Sequence, residues 1–194
     1  MTTRRTFLSG FLALPAIVPV VARGQNMPEL ALTPSCGAET VAQTEGPYFT
    51  PDTPLKRDFR GDVASDANGG GTPITIAGYV LTADCKPVPG ALIELWHCDD
   101  GGVYDNDGFR LRGHQFSDGE GRWWFETIVP GVYTGRTRHF HVKVQRPEGP
   151  VLTTQLYFPG EAGNDRDRIF DASLLLDIKT APDGGYGRYD FVVG

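Results

Sequence analysis

Residues 131–144 gather side chains that could do metal chemistry, with Tyr133, Arg136, His139 and His141 falling within nine residues. The run from residue 138 onward alternates apolar and polar residues as a β-strand does, so the H-x-H spacing places both imidazoles on one face. Neutral imidazole binds zinc, copper and iron. The pair therefore indicates either a metal site or two ordinary strand histidines, and residues elsewhere must decide.

Two tyrosines favour the metal site over a pair of ordinary strand histidines. Tyr104 lies in the Gly- and Asp-rich loop DDGGVYDN, and Tyr133 lies in the turn PGVYT. A loop tyrosine alone is usually a surface residue. Phenolate, however, is a hard anionic ligand that suits a highly charged hard cation, so two phenols beside two imidazoles favour Fe(III) over zinc or copper.

The elements that must position these groups read as an all-β domain. The chain has 194 residues, 40% of them hydrophobic, with 25 Gly and 15 Pro, as expected of short strands joined by tight turns. We predict a β-sandwich of about eight short strands over residues 73–194, preceded by an irregular N-terminal arm and linker over 23–72. The predicted strands are 73–82, 91–98, 111–116, 122–129, 138–146, 151–158, 173–180 and 188–193.

The alternation of side chains along these strands distinguishes residues predicted to lie in the core from residues predicted to lie at the site. In the fifth strand Phe140 and Val142 should face the core, opposite the two histidines. By the same parity His97 is predicted to be a core or pocket-wall histidine. His114, in a polar strand, is predicted either to support the ligands from behind or to be structural. The aromatic residues Trp96, Trp123, Trp124 and Phe125 are predicted to be core aromatics.

Charge and hydropathy limit the partners and the location. The formal net charge of −6 argues against nucleic acid or an anionic membrane surface. The twin arginine Arg4–Arg5 and the apolar run that follows predict a twin-arginine signal peptide over residues 1–22, with an uncleaved anchor as the alternative. We expect export to the periplasm or the extracellular space, with no stable membrane span after signal removal.

The three cysteines, Cys36, Cys85 and Cys98, predict one disulfide and one spare thiol in an oxidising compartment. Cys85 lies in the turn before the predicted strand 91–98, and Cys98 lies at the far end of that strand. The two ends of the strand are roughly 23 Å apart at ~3.3 Å per residue. We therefore expect Cys36 to pair with one of them, with a slight preference for Cys98.

Five stretches together resemble the intradiol ring-cleaving aromatic dioxygenases, particularly the protocatechuate 3,4-dioxygenase branch. They are QTEGPY from residue 43, PGALIELWHCDDGGVY from 89, FRLRGHQFSDGEGR from 109, PGVYTGRTRHFH from 130 and TQLYFPG from 154. The resemblance implies a β-sandwich that holds non-haem Fe(III). It also implies cleavage of a catechol-type substrate with O₂ to a cis,cis-muconate-type dicarboxylic acid.

The resemblance also assigns residues. It implies that the iron ligands are Tyr104, Tyr133, His139 and His141. Tyr133 would leave the iron when substrate binds, Arg136 would face the substrate ring, and Gln155 would line the same pocket. Tyr48, in the arm, is a candidate roof for the pocket, and Tyr157 is expected to pack within its strand.

The resemblance leaves several points open. The substrate could be protocatechuate, catechol, hydroxyquinol or a lignin-derived phenol, and the chain could act alone, as a homo-oligomer or with a related second subunit. The main alternative is an exported transthyretin-like β-sandwich binding module without catalysis, which the stretch ADCKPVPGALIEL would fit equally well. A zinc or copper enzyme that uses only the H-x-H pair is a third reading, and it leaves both tyrosines unexplained.

Overall fold

Short β-strands make up the regular structure of the chain, seen here in a computed structural model that describes residues 36–63, 70–133, 135–181 and 184–194. The predicted signal peptide and the first part of the predicted arm lie outside these residues. Across the described ranges, no helix is long and apolar enough to cross a membrane.

The described residues form nine strands and three short 3₁₀ turns. The strands are β1 Pro73–Leu81, β2 Leu92–Trp96, β3 Arg112–Phe116, β4 Arg122–Ile128, β5 His139–Gln145, β6 Val151–Tyr157, β7 Asp177–Ala181, β8 Gly184–Arg188 and β9 Phe191–Val192. One sheet has the order β4-β1-β8-β7, with β9 also paired to β1. The other, here called the site sheet, has the order β3-β2-β5-β6. The predicted all-β sandwich is confirmed.

The first six predicted strands agree with the structure to within two residues at each end. The seventh and eighth overlap β7 and β9 but begin four and three residues too early. The stretch predicted from residue 173 begins as a 3₁₀ turn, Ala172–Leu174, before β7. Residues 181–187, which no predicted strand covers, include most of β8. Its glycines suit a strand here because a Cβ on Gly187 would lie 2.9 Å from the Ile178 side chain of the neighbouring strand.

The main core lies between the two sheets, and β5 contributes to it with alternate residues. Phe140, Val142 and Val144 are fully buried there, packed in one cluster with Trp123 and Phe125 of β4. The predicted inward orientation of Phe140 and Val142 is therefore confirmed.

Trp124 departs from the core prediction. It points away from the main core and is partly exposed, with the Arg57 guanidinium 4.0 Å from its ring centroid. Strand alternation explains this, because its neighbours Trp123 and Phe125 occupy the buried face.

The opposite face of the site sheet is covered by the arm rather than by a second sheet. The Gln43 amide donates to the Thr153 carbonyl at 2.8 Å, and the Thr154 hydroxyl donates to the Val41 carbonyl at 2.7 Å. These contacts hold the arm along β6, and Gly46 of the arm lies against the His141 ring on the histidine-bearing side of β5.

The disulfide joins Cys36 to Cys85, with 5.4 Å between their Cα atoms. Cys98 is a free, buried thiol. The slight preference for Cys98 was therefore wrong. Cys85 lies in an exposed turn that the arm can reach, whereas Cys98 is enclosed at the end of β2 beside Tyr104.

His97 is a satisfied core histidine, as predicted. Its Nε2 lies 2.7 Å from the Thr127 hydroxyl and its Nδ1 lies 2.7 Å from the Cys98 carbonyl oxygen. The Phe59 and Phe140 rings pack against it. Burial lowers the pKa of His97 to about 3, so the ring is neutral at physiological pH.

The disulfide should contribute substantially to stability. It closes a loop with a sequence separation of 49 residues, for which the chain-entropy relation gives about 4 kcal/mol. We expect Cys36→Ser and Cys85→Ser to lower the free energy of unfolding by similar amounts, measured by denaturant titration of the oxidised protein. A loss below ~1 kcal/mol in both variants would show that the bond does not form.

His97 should make stability fall in acid. Its folded-state pKa lies below its unfolded value, so the unfolded chain binds a proton that the folded chain excludes. Stability contributed by the neutral ring is complete above about pH 6.5 and is lost as the pH falls towards 3. Between pH 7 and 5, wild type should lose about 2 kcal/mol more unfolding free energy than His97→Gln. Equal losses in the two proteins would contradict this assignment.

Candidate metal centre

The two histidines of β5 meet on the outer face of the site sheet. Both are buried, and their Nε2 atoms lie 3.2 Å apart. Two imidazole nitrogens that bind one ion at ~2.1 Å lie about 3 Å apart when they occupy adjacent positions. The Nδ1 of His139 is 2.6 Å from the Thr137 carbonyl oxygen, which suits a proton on Nδ1 and a free lone pair on Nε2.

The environment keeps both rings neutral. Burial lowers the pKa of His139 to about 4, and the nearby Arg136 charge acts in the same direction. Burial also lowers the pKa of His141 well below its ordinary value, with the neighbouring His139 as the next cause. Neutral imidazole is the form that binds metal.

Two loops bring the phenols to the imidazoles. Tyr104 follows β2 and Tyr133 follows β4, and their ring centroids are 5.7 Å apart. The Tyr133 ring lies 5.7 Å from His139, and the Tyr104 ring lies 6.2 Å from His141. The loops are held together where the Gly131 amide donates to the Asp99 carbonyl at 2.7 Å. All four predicted ligands are thus neighbours. Tyr133, His139 and His141 lie within nine residues of the chain, whereas Tyr104 comes from the separate loop after β2.

The Tyr104 hydroxyl fits the role of a cation ligand. Its hydroxyl is buried and has no hydrogen-bond partner among the described residues, an arrangement that costs about 1–3 kcal/mol. Burial raises the pKa of Tyr104 and of Tyr133, so neither phenol ionises at neutral pH without a nearby positive charge. A hard trivalent ion at the histidine Nε2 atoms would supply that charge.

The described residues hold no cluster of three His, Cys, Asp or Glu side chains suited to a metal. Any metal at the His139–His141 pair therefore depends on the phenols for its remaining protein ligands. This donor set, two imidazoles and two phenols, fits Fe(III) better than zinc.

One row of residues crosses the site sheet beneath the centre. Arg112 of β3, Trp96 of β2, His141 of β5 and Gln155 of β6 are cross-strand partners in succession. The Trp96 ring stacks on His141 with centroids 4.9 Å apart and planes at 8°. Trp96, predicted as a core aromatic, is buried in a second apolar cluster at the site rather than in the main core.

The arm closes the site from outside. Tyr48 stacks on Tyr104 with ring centroids 4.3 Å apart, as its predicted role as a roof requires. A Cβ on Gly46, which has φ +68°, would lie 3.3 Å from the His141 ring. Only glycine lets the arm pass this close to the imidazole.

Arg136 and Gln155 form one hydrogen-bonded group at the edge of the centre. The Arg136 Nη2 donates to Gln155 Oε1 at 2.6 Å, and Nη1 lies 3.4 Å from the Tyr133 hydroxyl. Gln155 Nε2 in turn donates to the Thr44 carbonyl at 3.1 Å. A cleft of about 500 Å³ opens beside Tyr133 and Arg136 and is also lined by Val132.

Three residues join this region without having been identified as site residues. Arg112 is fully buried and donates to the backbone carbonyls of Tyr48 and of Asp105, the residue that follows Tyr104. Asp167 pairs with Arg136 at 2.8 Å. Tyr157, expected only to pack within its strand, donates its hydroxyl to the Gln43 side chain at 2.8 Å.

His114 lies apart from the centre. Its Nδ1 is 2.8 Å from the Thr53 carbonyl oxygen, and the contact ties the arm to β3. This is the structural role, one of the two that were predicted for it.

Comparison with known proteins agrees with this geometry. A family model described as "Dioxygenase" matches residues 44–180. The chain is 31% identical over 186 residues to a hydroxyquinol 1,2-dioxygenase of Nocardioides simplex, covering 83% of this chain and 62% of that protein. It is 32% identical over 209 residues to a 6-chlorohydroxyquinol 1,2-dioxygenase of Cupriavidus pinatubonensis, covering 95% and 71%. The chain thus spans about three fifths of the length of several curated relatives that it matches.

Solved structures show the same fold. The dioxygenase domain of a dioxygenase carbohydrate-binding protein fusion from Streptomyces sp. SirexAA-E is 49% identical, with a TM-score of 0.75 over 80% of this chain and 98% of that one. The catechol 1,2-dioxygenase of Acinetobacter sp. ADP1 is 25% identical, with a TM-score of 0.68 over 78% and 61%. The match over residues 44–180 spans the elements that carry all four tyrosine and histidine side chains, and the chain belongs to the intradiol ring-cleavage dioxygenase family.

Proposed function

We propose that this protein is a non-haem Fe(III) intradiol dioxygenase that cleaves the ring of a catechol-type aromatic with O₂ to give a muconate-type dicarboxylic acid. The observation that carries the proposal is the convergence of Tyr104, Tyr133, His139 and His141, with the histidine Nε2 atoms 3.2 Å apart and the Tyr104 hydroxyl buried without a partner. The names of curated relatives, which include hydroxyquinol and chlorocatechol 1,2-dioxygenases, support it.

The four side chains would hold the metal. When bound, Fe(III) supplies a Lewis acid that accepts both catechol oxygens and makes the ring reactive towards O₂. The buried, neutral imidazoles of His139 and His141 would remain as ligands throughout, because their rings are fixed by the Thr137 carbonyl and by Trp96.

Tyr133 is suited to accept a proton from the substrate. Burial raises the pKa of its phenol, so a phenolate oxygen at this position would readily take up a proton. Its hydroxyl lies 3.4 Å from Arg136 Nη1, which can hold the protonated side chain beside the cleft. The proton of one catechol hydroxyl would therefore end on the Tyr133 oxygen.

Arg136 and Gln155 would handle the substrate. The Arg136 guanidinium can stabilise negative charge that develops on the catechol oxygens, and Gln155 fixes that guanidinium through a 2.6 Å hydrogen bond. The Tyr48 and Trp96 rings exclude water, which strengthens these electrostatic contacts.

A binding module of the same fold is not favoured by the site. It would give no reason for a buried tyrosine hydroxyl without a partner facing two neutral imidazoles. A zinc or copper enzyme built on the histidine pair likewise leaves Tyr104 without a role.

Export by the twin-arginine route remains part of the proposal. The Cys36–Cys85 disulfide supports it, because such bonds persist in oxidising compartments such as the periplasm and the extracellular space. A fusion of the predicted signal to a reporter would test it.

The function is tested by incubating iron-loaded protein with catechol, hydroxyquinol, chlorocatechol and protocatechuate while O₂ consumption is recorded. At least one substrate should consume one O₂ per ring cleaved, and ¹⁸O₂ should place two labelled oxygens in the dicarboxylic product. Consumption of O₂ without a ring-opened product, or no reaction with any of the four, would contradict the proposal.

Removing a ligand should remove iron. We expect Tyr104→Phe and His139→Ala to lower the iron content after reconstitution and to reduce turnover at least ~100-fold, beyond the 10–100-fold typical of residues that only orient ligands. Tyr79→Phe, on the other sheet, is the matched control and should retain both. Full turnover in Tyr104→Phe would remove that residue from the ligand set.

Removing the guanidinium should affect turnover and leave the metal in place. Arg136→Ala should lower kcat roughly 10²–10³-fold, the range for loss of one electrostatic stabiliser, with unchanged iron content. Arg168→Gln, an exposed arginine nearby, should match wild type. A change in KM alone would indicate that Arg136 binds substrate without stabilising the reaction.

A further inference from the structure

Asp167 is a buried carboxylate that pairs with Arg136 at the edge of the proposed centre. It directly follows the 3₁₀ turn Asn164–Arg166, and its side chain is 1% exposed. The loop is fastened to the turn before β5, because the Thr137 hydroxyl donates to Asn164 Oδ1 at 2.7 Å. Asp167 is thereby held against the segment that leads from Tyr133 to His139.

The carboxylate is fully engaged as an acceptor. Its Oδ2 accepts from Arg136 Nε at 2.8 Å and from the Thr137 backbone amide at 2.9 Å. Its Oδ1 accepts from the Ile169 amide at 3.2 Å. Burial opposes ionisation, but the bonds from the Thr137 amide and Arg136 prevail and lower the pKa of Asp167 below its usual value. The ionised form is therefore the one present at neutral pH.

The first consequence concerns Arg136. With Nε fixed by Asp167, the two outer nitrogens of the guanidinium are directed to Gln155 Oε1 at 2.6 Å and towards the Tyr133 hydroxyl at 3.4 Å. The planar guanidinium has a fixed fork geometry, so fixing one nitrogen sets the direction of the other two.

The second consequence concerns His139. The Thr137 amide donates to Asp167, and the Thr137 carbonyl accepts from Nδ1 of His139 at 2.6 Å. Anchoring the amide of Thr137 steadies the residue whose carbonyl sets the orientation of the imidazole. The Asp167 carboxylate thus contacts both Arg136, which faces the proposed substrate, and Thr137, which orients a proposed metal ligand.

We propose that Asp167 is a positioning residue, which directs the Arg136 guanidinium into the substrate pocket and, through Thr137, orients His139 for metal binding. The inference rests on the proposed function. Asp167 itself touches neither the metal ligands nor the reacting atoms.

Kinetics of iron-loaded, full-length variants test the proposed effect of Asp167 on Arg136. Asp167→Asn keeps the shape of the side chain but removes its charge, and should lower kcat/KM about 10–100-fold. Asp165→Asn, an exposed acid in the same turn, should stay within about twofold of wild type. Because the effect runs through Arg136, adding Asp167→Asn to Arg136→Ala should cause little further loss. At equal iron occupancy, a multiplicative loss in the double variant, or wild-type kcat/KM in Asp167→Asn, would overturn the proposed effect on Arg136.

The rate of iron release tests the proposed effect of Asp167 on His139 without a measurement of activity. Asp167→Asn should lose iron to a competing chelator roughly 10-fold faster than wild type, and Asp165→Asn should not. Equal release rates would overturn the link to His139. Should Asp167→Asn fail to fold, Asp167→Glu provides the same test. It keeps the charge but moves the carboxylate relative to Arg136 Nε and the Thr137 amide, so wild-type kcat/KM and wild-type iron release in this variant would overturn the proposal.

The two readouts separate this inference from the proposed function. If iron-loaded wild type cleaves no catechol, the proposed function fails, while the chelator comparison still decides whether Asp167 orients the metal ligands. If wild type cleaves a catechol and Asp167→Asn matches it in both readouts, only the role of Asp167 fails.

Discussion

The strict alternation of side chains along β5 is the constraint on which the rest of the structure depends. Phe140 and Val142 are fully buried between the two sheets, and this burial fixes the strand in place. The residues between and beside them, His139 and His141, must then face the opposite side, with their Nε2 atoms 3.2 Å apart. The geometry of the imidazole pair is therefore set by hydrophobic packing on the other face of the same strand.

A face that carries polar side chains normally meets water, and here the arm prevents that. Gly46 passes against His141, and Tyr48 covers Tyr104. The resulting burial lowers the pKa of both histidines and raises the pKa of both tyrosines, so without a metal all four groups are neutral. A bound trivalent cation would favour ionisation of the two phenols and leave the two imidazoles neutral. Two phenolates and two neutral imidazoles are a ligand set that suits Fe(III).

Sequence patterns predicted the features that depend on neighbouring residues in the chain and missed those that depend on contacts between residues distant in sequence. Strand parity correctly separated Phe140 from its histidine neighbours and placed His97 in the core, since both depend only on the period of two. It could not show that the loops carrying Tyr104 and Tyr133 meet, and that expectation came from family resemblance. The Cys36–Cys85 pairing depends on the path of the arm, and β8 forms because its glycines fit beside Ile74 and Ile178. Asp167 lies beyond the matched motifs, and its role follows only from contacts with residues about thirty positions earlier.

The most direct test of the central claim, that two phenols and two imidazoles converge on one Fe(III), is a visible titration. Metal-free protein is titrated anaerobically with Fe(III) while the tyrosinate-to-iron charge-transfer band is followed. We predict a red-brown band that saturates at one iron per chain and shifts when a catechol is added. A protein that stays colourless, or whose colour does not depend on Tyr104 and Tyr133, would contradict the proposed metal centre.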